Sequence, residues 1–439
     1  MEVFFAQHSI AIFGKAPASD ASGTRVKIKL PDEGDSEVAS WGDDNLYPQK
    51  ILEEIRKNGP AGSGLAKLHA AHFGEGLKLM KEEATEQGKR QKIFVDIKKD
   101  YPEIYRFFKE NRIQHFFSEV IWDLEFFNIA FPEFVLSKDR KKIVRVKRQK
   151  AAWSRFEIMD EKLRFSKNVY VRNDWSESAL DDGYTSKIPV IPNDWPIEEV
   201  RKYITKKKLT NFVMPFSYVT MDEAYYPHPF WHSVYKNGWI DVSNSIPKLK
   251  KAIFNNQLHF KYVIYVSDEY YERYYGDDWH EFTLDKKEQI RKQLVESIDK
   301  HLSGNDAGGR SLIAPKFKDS NGDWVKGIEV EPIDNKLKDG NYLPDASAAN
   351  SEILFALGVD PTLIGAGIPG GKLGAGSGSD KREAYNLLMA FMHNRRVPTV
   401  ELWNFIRDFN GWPDELEATF PNKVLTTLDK NPTGSANVL

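Results

Sequence analysis

The sequence of 439 residues contains no cysteine. This absence excludes disulfide bonds and thiolate metal sites. The chain also lacks an apolar run of 18 residues, so it predicts no transmembrane helix. Residues 1–15 carry a short apolar patch without a preceding basic region or a small-residue cleavage site, and we do not expect a signal peptide there.

A large excess of either charge is absent too. The chain has 62 Lys and Arg residues against 64 Asp and Glu residues, which gives a net charge of −2. A protein that held nucleic acid by bulk charge would be more basic. Any contact with nucleic acid is therefore predicted to be local or weak. With 41% hydrophobic residues, the chain can still bury a core divided into two or three units.

Hydrophobic periodicity predicts a mixed, α+β chain. Residues 16–40 have the composition of a loop, and residues 130–220 alternate with the period of an antiparallel meander. The pattern predicts helices at residues 44–76 with a break at Asn58-Gly59-Pro60, 100–128 with an aromatic stripe, 229–260 with Pro247 inside, 284–302, 344–358 and 380–409 with Pro398 inside. Strands around the 284–302 helix predict a small β-α-β-β unit at residues 261–333.

Residues 138–150 form the most basic stretch, with eight Lys and Arg residues and one Asp. On a strand, Arg145 and Lys147 would point away from Val144 and Val146. Two interpretations remain open from the sequence. The stretch is either a solvated hairpin edge, charged against aggregation, or a nucleic-acid patch.

Seven glycines lie between residues 365 and 378, and Lys372 is the charged residue among them. Gly365 to Gly370 match the G-x-G-x-x-G spacing of a dinucleotide site. That site needs a strand before the glycines and a helix directly after them, whereas here a helix precedes and more loop follows. The P-loop pattern also fails, because Ala366 and Leu373 replace the glycine and the hydroxyl residue it requires. The sequence therefore predicts no nucleotide cofactor.

Two histidine pairs have helical spacing, His69 with His72 and His228 with His232. Neither pair is accompanied by the glutamate of a zinc-protease motif, and structural histidines are the simpler interpretation. No Ser/His/Asp or Cys/His arrangement stands out. We therefore predict no metal, no cofactor and no enzymatic activity.

Two segments around the glycine-rich loop resemble the portal proteins of tailed bacteriophages. The first is ILFALGVDPTLIG at residues 353–365, and the second is GSDKREAYNLLMAFMHNRRVPTVELWNFI at residues 378–406. Portals commonly have a helix that ends in GVPP-x-L-(L/I)-G, then a variable loop, then a long helix with a proline near its far end. Asp360 replaces the first of the two prolines. The order of elements over residues 44–409 also resembles the family's order.

The resemblance implies a portal-type α+β fold with an α/β wing, a two-helix stem, a small α/β clip, a Gly-rich tunnel loop and a long kinked wing helix. The implied parts are the wing at residues 1–228, stem helix 1 at 229–260, the clip at 261–335, stem helix 2 at 336–358, the tunnel loop at 359–379, and the long wing helix with a short C-terminal tail at 380–439. The short tail makes a crown doubtful.

The resemblance further implies a ring, usually of twelve subunits, at one vertex of a virion capsid and assembled in the cytoplasm of a bacterial host. Double-stranded DNA would pass through its channel during packaging and ejection. The terminase large subunit and a head–tail adaptor would dock on the clip, and capsid protein would contact the wing, with no membrane involved. The residues expected to face DNA are Gly365, Gly367, Gly370, Gly371, Lys372, Gly374, Gly376, Lys381 and Arg382.

Physical arguments from the residues agree with this expectation. Glycines let a loop follow a moving helix with little strain. Ala346, Ala348 and Ala349 are expected to form one face on which helices of neighbouring subunits in the ring pack side by side. The alternatives are a minor capsid or scaffold protein that forms no portal ring, and a DNA-processing enzyme that uses the basic strand and loop carboxylates.

Overall fold

The structure is a computed structural model of the chain. It describes residues 25–30, 34–84, 90–160, 162, 165–177, 180, 183–221, 225–259, 262–302, 316–318, 322, 324–332, 343–364, 378–426 and 435–437. The chain divides into two units. Unit 1 comprises Met1–Ile246 with Tyr342–Leu439, and unit 2 comprises Pro247–Asn341.

Unit 1 mixes helices with short antiparallel sheets. Its helices are α1 (Tyr47–Lys57), α2 (Gly59–Phe73), α3 (Ile97–Asp100), α4 (Pro102–Glu110), α5 (Ile113–Phe127), α6 (Ile197–Lys207), α7 (His232–Lys236), the first part of α8 (Trp239–His259), and, after unit 2, α12 (Leu343–Leu357), α13 (Pro361–Ile364) and α14 (Gly378–Asn410). Its strands are β1 (Arg25–Leu30), β2 (Gly34–Ala39), β3 (Lys78–Ala84), β4 (Arg90–Phe94), β5 (Ile129–Leu136), β6 (Ile143–Gln149), β7 (Ser154–Phe156), β8 (Asn168–Val171), β9 (Ser186–Pro189), β10 (Asn211–Val213), β11 (Phe216–Ser217), β16 (Glu417–Thr419), β17 (Lys423–Leu425) and β18 (Ser435–Asn437).

The centre of unit 1 is α5, which is buried on more than one side. Phe117, Val120 and Leu124 have no exposed surface and pack in one hydrophobic cluster, while Phe127 packs in a second. A helix that is apolar around most of its circumference needs cover from several elements. The predicted aromatic stripe is thus a core stripe.

The predicted helix over residues 100–128 is wrong in one respect, because it is broken into α4 and α5. Arg112 has a left-handed φ of 48° between the two helices. The side chain of Asn111 fixes this break. It donates to the carbonyl of Phe107 at 3.0 Å and accepts from the amide of Val146 on β6 at 3.0 Å.

Strand β5 forms the middle of the largest sheet. Strands β10 and β11 pair with it in the same register, so they behave as one strand interrupted at Met214-Pro215. Proline has no amide proton to continue the ladder, which explains the interruption. Strand β6 pairs with the opposite side of β5.

The expected alternation along β6 is wrong at Val144. A bulge opposite Val135 and Leu136 leaves Val144 without a partner, and its side chain is 48% exposed. Such an extra residue shifts every side chain beyond it to the other face. Val146 is buried, while Arg145 and Lys147 are exposed.

The predicted meander over residues 130–220 holds only in part. Strands β7, β8 and β9 form a second antiparallel sheet, but helix α6 also lies within this range. Residues 165–167, inside the predicted meander, lie outside any strand. The loop predicted for residues 16–40 is wrong over its described part, because β1 and β2 form a hairpin there.

The C-terminal region returns to the middle of unit 1. Helix α14 runs without interruption from Gly378 to Asn410 through Pro398, and Trp403, Ile406 and Phe409 are fully buried. Asn410 exchanges two hydrogen bonds with the backbone of Ile143, at 2.7 and 3.3 Å. Strand β16 then pairs with β3, which also pairs with β4.

Unit 2 contains the second part of α8, from Pro247, and then β12 (Tyr262–Val266), α9 (Asp268–Tyr275), α10 (Asp278–Glu281), α11 (Leu284–Leu302), β13 (Lys316–Lys318), β14 (Trp324–Lys326) and β15 (Ile328–Pro332). Strand β12 pairs with β15, and β13 pairs with β14. The sequence predicted a β-α-β-β unit here, in which α11 is the predicted helix. The prediction missed α9, α10 and one of the three strands β13, β14 and β15. Tyr271 and Trp279, stacked with ring centroids 4.6 Å apart, provide the buried contact between the two unexpected helices.

The helices predicted around unit 2 have shorter bounds than expected. Residues 229–260 contain two helices, α7 and α8, separated at Gly238, which has a φ of 83°. In the predicted stem helix 2 at residues 336–358, the described part forms a helix from Leu343 to Leu357, and Gly358 follows with a φ of 66°. A glycine at this point is the usual end of a helix.

Gly74 provides a test of the packing in unit 1. Its φ of 53° and ψ of −128° suit glycine alone, and a Cβ there would lie 2.4 Å from the carbonyl oxygen of Pro421. We expect Gly74→Ala to lower the free energy of unfolding by about 2 kcal/mol or more. Gly59→Ala, where a Cβ meets no atom within 4 Å, is the control and should change it by less than about 1 kcal/mol. Urea unfolding followed by circular dichroism measures both, and equal effects would contradict the expectation.

Candidate functional site

The glycine-rich loop was the predicted site, and most of it lies outside the described residues. The predicted site residues that lie outside are Gly365, Gly367, Gly370, Gly371, Lys372, Gly374 and Gly376. Lys381 and Arg382 are described and lie in the first turns of α14. Lys381 is exposed, and Nε of Arg382 lies 3.8 Å from Oε1 of Glu383. The described elements that flank the loop are α13 before it and α14 after it.

Asp360 organises the element before the loop. Its Oδ1 accepts hydrogen bonds from the amide of Thr362 at 2.8 Å and from the hydroxyl of Thr362 at 2.6 Å. These bonds satisfy the start of α13 in the manner of a helix N-cap. The residue that departs from the portal-like motif thus has a local structural role of its own.

Helix α12, which leads to α13, lies very close to α2. A Cβ added at Gly64 would be 2.6 Å from Cδ1 of Leu357 and 3.6 Å from Cδ2 of Leu354. Ala349 is fully buried, whereas Ala348 is exposed. The expectation that Ala346, Ala348 and Ala349 share one face toward a neighbour is therefore wrong, because Ala349 packs within its own subunit.

A buried polar cluster holds the element after the loop. It consists of His72 on α2, Glu125 on α5, Tyr218 after β11, and Arg395 and Thr399 on α14. Oε1 of Glu125 lies 2.7 Å from Nδ1 of His72 and accepts from the hydroxyl of Tyr218 at 2.9 Å, while Arg395 donates to Oε2. His72 and Glu125 have side chains with no exposed surface.

The protonation states follow from the partners. Burial alone would raise the pKa of Glu125, but the hydrogen bonds from His72 and Tyr218 and the charge of Arg395 hold that pKa below its ordinary value. Burial lowers the pKa of His72, and Glu125 opposes this only in part. An ionised carboxylate only accepts, so a neutral His72 donates from Nδ1. Its Nε2 lies 3.1 Å from Oγ1 of Thr399, whose hydroxyl donates to the carbonyl of Arg396 at 2.7 Å.

Arg396 adds a second attachment of α14 to α2. Its guanidinium donates to the carbonyls of Ala71 at 2.8 Å and His72 at 3.1 Å, close to the end of α2. These carbonyls have no partner within their own helix, so the cation satisfies them. Burial lowers the pKa of Arg396 to about 10, and the side chain stays charged at neutral pH. The sequence signal for this cluster is the polar residues His72 and Glu125 within largely apolar helices.

Histidines of both pairs have hydrogen-bond partners among the described residues. His69 bonds the carbonyl of Ser118 at 3.0 Å, away from the Glu125 partner of His72. Nδ1 of His232 is within hydrogen-bond distance of the hydroxyl of Tyr47, at 2.7 Å, and the ring centroid of His228 is 4.3 Å from that of His232. Among the described residues no group of three His, Asp or Glu residues is placed to hold a metal. None of the described helices is both long and apolar enough for a membrane span.

Comparison with known proteins gives matches in structure alone. No protein-family model matches the sequence, and no curated protein does. A chain in the neck of a native gene transfer agent particle, computed with C12 symmetry, matches with a TM-score of 0.54 and 13% identity, over 91% of this chain and 86% of that one. A neck chain of an empty particle, computed with C6 symmetry, matches with 0.54 and 13%, over 94% and 88%. A chain of the native particle's virion matches with 0.53 and 12%, over 94% and 88%.

At this level of identity the matches establish a shared fold. The chain is a mixed helix-and-sheet protein, so the predicted α+β class is confirmed. The fold is that of chains found in the neck and virion of gene transfer agent particles, and the match covers more than nine-tenths of this chain.

Removing the charge at the centre of the cluster tests its role. Glu125→Leu would leave Arg395 and Nδ1–H of His72 without an acceptor. We expect the free energy of unfolding to fall by about 3–5 kcal/mol. Glu119→Leu is the control on the same helix, since Glu119 is partly exposed and 3.7 Å from His115, and should cost less than about 1 kcal/mol. Guanidinium unfolding measures both, and similar losses would contradict a central role for Glu125.

The cluster also predicts a pH dependence of stability. Because the pKa of His72 is lowered from 6.5 in the fold, the unfolded chain binds a proton that the folded chain excludes. Stability should therefore fall as the pH drops through about 6.5. Glu125 adds a loss only below its ordinary pKa of 4.5. His72→Asn keeps a donor toward Glu125 without titrating, so its stability should fall less between pH 7.5 and 5.5.

Part of the loss should remain in His72→Asn, since His69 and His232 also have lowered pKa values. Chemical unfolding at pH 7.5, 6.5 and 5.5 measures the slope for both proteins. An unchanged slope in the variant would show that His72 does not titrate on unfolding.

Proposed function

We propose that this chain is a portal protein, which forms a ring at one capsid vertex of a virus-like particle and provides the channel for DNA. The observation that carries the proposal is the shared fold with neck chains of gene transfer agent particles over more than nine-tenths of this chain. Those neck structures were computed with twelvefold and sixfold symmetry, which supports a ring of identical subunits.

The arrangement around the loop supports a contact with moving DNA. The loop at residues 359–379 begins at the Asp360-capped turn and ends at α14, which the Glu125 cluster attaches to the core. In the proposed ring, Lys372, Lys381 and Arg382 lie along the channel. A few cations per subunit give weak, repeated contacts with phosphates, because affinity grows with each phosphate neutralised. The channel thus guides DNA without holding it.

Unit 2 is the proposed docking site for the terminase large subunit and a head–tail adaptor, as the clip at residues 261–335. Its described part exposes large apolar side chains, namely Tyr265, Tyr274, Leu284 and Trp324, at 54%, 72%, 83% and 66%. Aromatic residues on a surface are common at protein interfaces. The wing, residues 1–228 and 380–439, would contact capsid protein.

The portal in this proposal performs no catalysis and needs no cofactor, since a separate motor drives the DNA. A minor capsid protein without a ring and a DNA-processing enzyme are the competing functions. A nuclease assay with Mg²⁺ or Mn²⁺ separates the latter, and we expect no cleavage of duplex DNA.

Native mass spectrometry and electron microscopy of the purified chain test the ring. We expect closed rings with a central hole, most simply of twelve subunits, and a reconstruction with residues 365–379, Lys381 and Arg382 toward that hole. A monomer that persists at high concentration would overturn the portal function. Rings with residues 365–379 on the outer surface would leave the ring in place and overturn the DNA contact.

A further inference from the structure

Strand β6 has a charged edge, formed by the exposed side chains of Arg145 and Lys147, while Asn111 and Asn410 bond to its backbone at Val146 and Ile143. It pairs with β5 on one side. Arg145 and Lys147 are exposed, and neither has an ion pair with any residue that the structure describes. Arg148 differs, because it donates to both carboxylate oxygens of buried Asp123. A groove of about 400 Å³ beside Arg145 and Lys147 is also lined by Arg112 and by two carboxylates, Glu110 and Glu119.

Unit 1 has a second surface of opposite charge. Residues 40–54 and 226–241 enclose a cleft of about 700 Å³. Five carboxylates line the cleft, against the two lysines Lys50 and Lys236; they are Asp43, Asp44, Glu53, Glu54 and Asp241. Asp44 is paired with Lys50 at 2.5 Å. Asp43 and Asp241 are exposed and, within the described part of the chain, have no ion pair.

The walls of the cleft suit a cationic side chain. Tyr47 and Tyr235 meet edge to face with centroids 5.9 Å apart, whereas Trp41 and Tyr226 are stacked on each other and buried, with Arg155 facing the Trp41 ring. Aromatic faces attract guanidinium and ammonium groups, and carboxylates nearby strengthen the contact. Burial lowers the pKa of His232 to about 4, so this histidine adds no positive charge at neutral pH.

We propose that the Arg145 and Lys147 edge of one copy docks into the Asp43 and Asp241 cleft of the next copy around the ring. This contact rests on the ring of the proposed function. A ring of more than two copies uses a heterologous interface, in which two different surfaces of each subunit are complementary. The two surfaces belong to different elements, since Arg145 and Lys147 are on β6, whereas Asp43 precedes α1 and Asp241 is on α8.

Charge reversal on each surface tests the contact. The strand variant is Arg145→Glu with Lys147→Glu, and the cleft variant is Asp43→Lys with Asp241→Lys. All four residues are exposed, so both variants should fold, which thermal unfolding verifies. We expect each variant alone to need at least a tenfold higher concentration to form rings, measured by mass photometry. The control is Lys98→Glu with Lys99→Glu, an exposed pair on α3 with the same change of charge as the strand variant.

Mixing the two variants gives the decisive result. The unchanged strand of the cleft variant meets the unchanged cleft of the strand variant, and the two reversed surfaces also match. We expect the equimolar mixture to form rings in which the variants alternate, at close to the wild-type concentration. Repulsion without a specific contact would not restore assembly in this way.

The other outcomes have distinct meanings. If the wild-type chain forms no ring, the proposed function and this contact both fail. If the wild-type and both variants form rings equally well, this contact alone is wrong. If the strand variant keeps its rings but loses binding to a fluorescent DNA duplex, the edge of β6 binds nucleic acid and not a second copy.

Discussion

The carboxylate of Glu125 is the point on which the arrangement of unit 1 depends. Its three hydrogen-bond partners come from α2, from the residue after β11 and from α14, elements separated by up to about 320 residues of chain. A buried carboxylate is stable only while its partners stay in place. Any shift of α14 along α2 would therefore leave a buried charge without compensation. The same helix is held again by Arg396 on the end of α2 and by Asn410 on β6.

The packing of the helices on both sides of the glycine-rich segment, residues 365–377, bears on how that segment is interpreted. Helix α14 begins directly after the segment, α13 directly precedes it, and α12, which leads to α13, packs against Gly64. Glycine-rich segments occur in phosphate sites, but they also occur wherever the backbone adopts φ values that other residues avoid. A nucleotide site would instead need a strand before the glycines, and the element found there is helical. The secondary structure on either side of the glycines, and not the glycine spacing itself, therefore distinguishes a phosphate-binding loop from a loop that connects two helices.

The sequence predicted those elements whose cause is local. Helix Leu284–Leu302 follows from apolar residues at i+4 steps, and Gly358 ends α12 through its own conformation. The break at Arg112 depends on Asn111 bonding to Val146, and the exposure of Val144 depends on a bulge in the pairing with β5. Neither cause is visible in the local pattern. The Glu125 cluster was missed for the same reason, since His72 and Arg395 are neighbours only after folding.

The positions of the charged side chains in the fold, together with the near-zero net charge, bear on how copies of the chain associate. A net charge of −2 causes little repulsion between copies, and at physiological salt such repulsion is screened beyond about 8 Å. The orientation in which two copies associate then depends on the charged side chains that have no ion pair within their own subunit. Arg145 and Lys147 are on one surface, and Asp43 and Asp241 are on another. A neutral chain with separated unpaired charges can associate head to tail, whereas the same composition with every charge paired internally would have no electrostatic preference for any orientation.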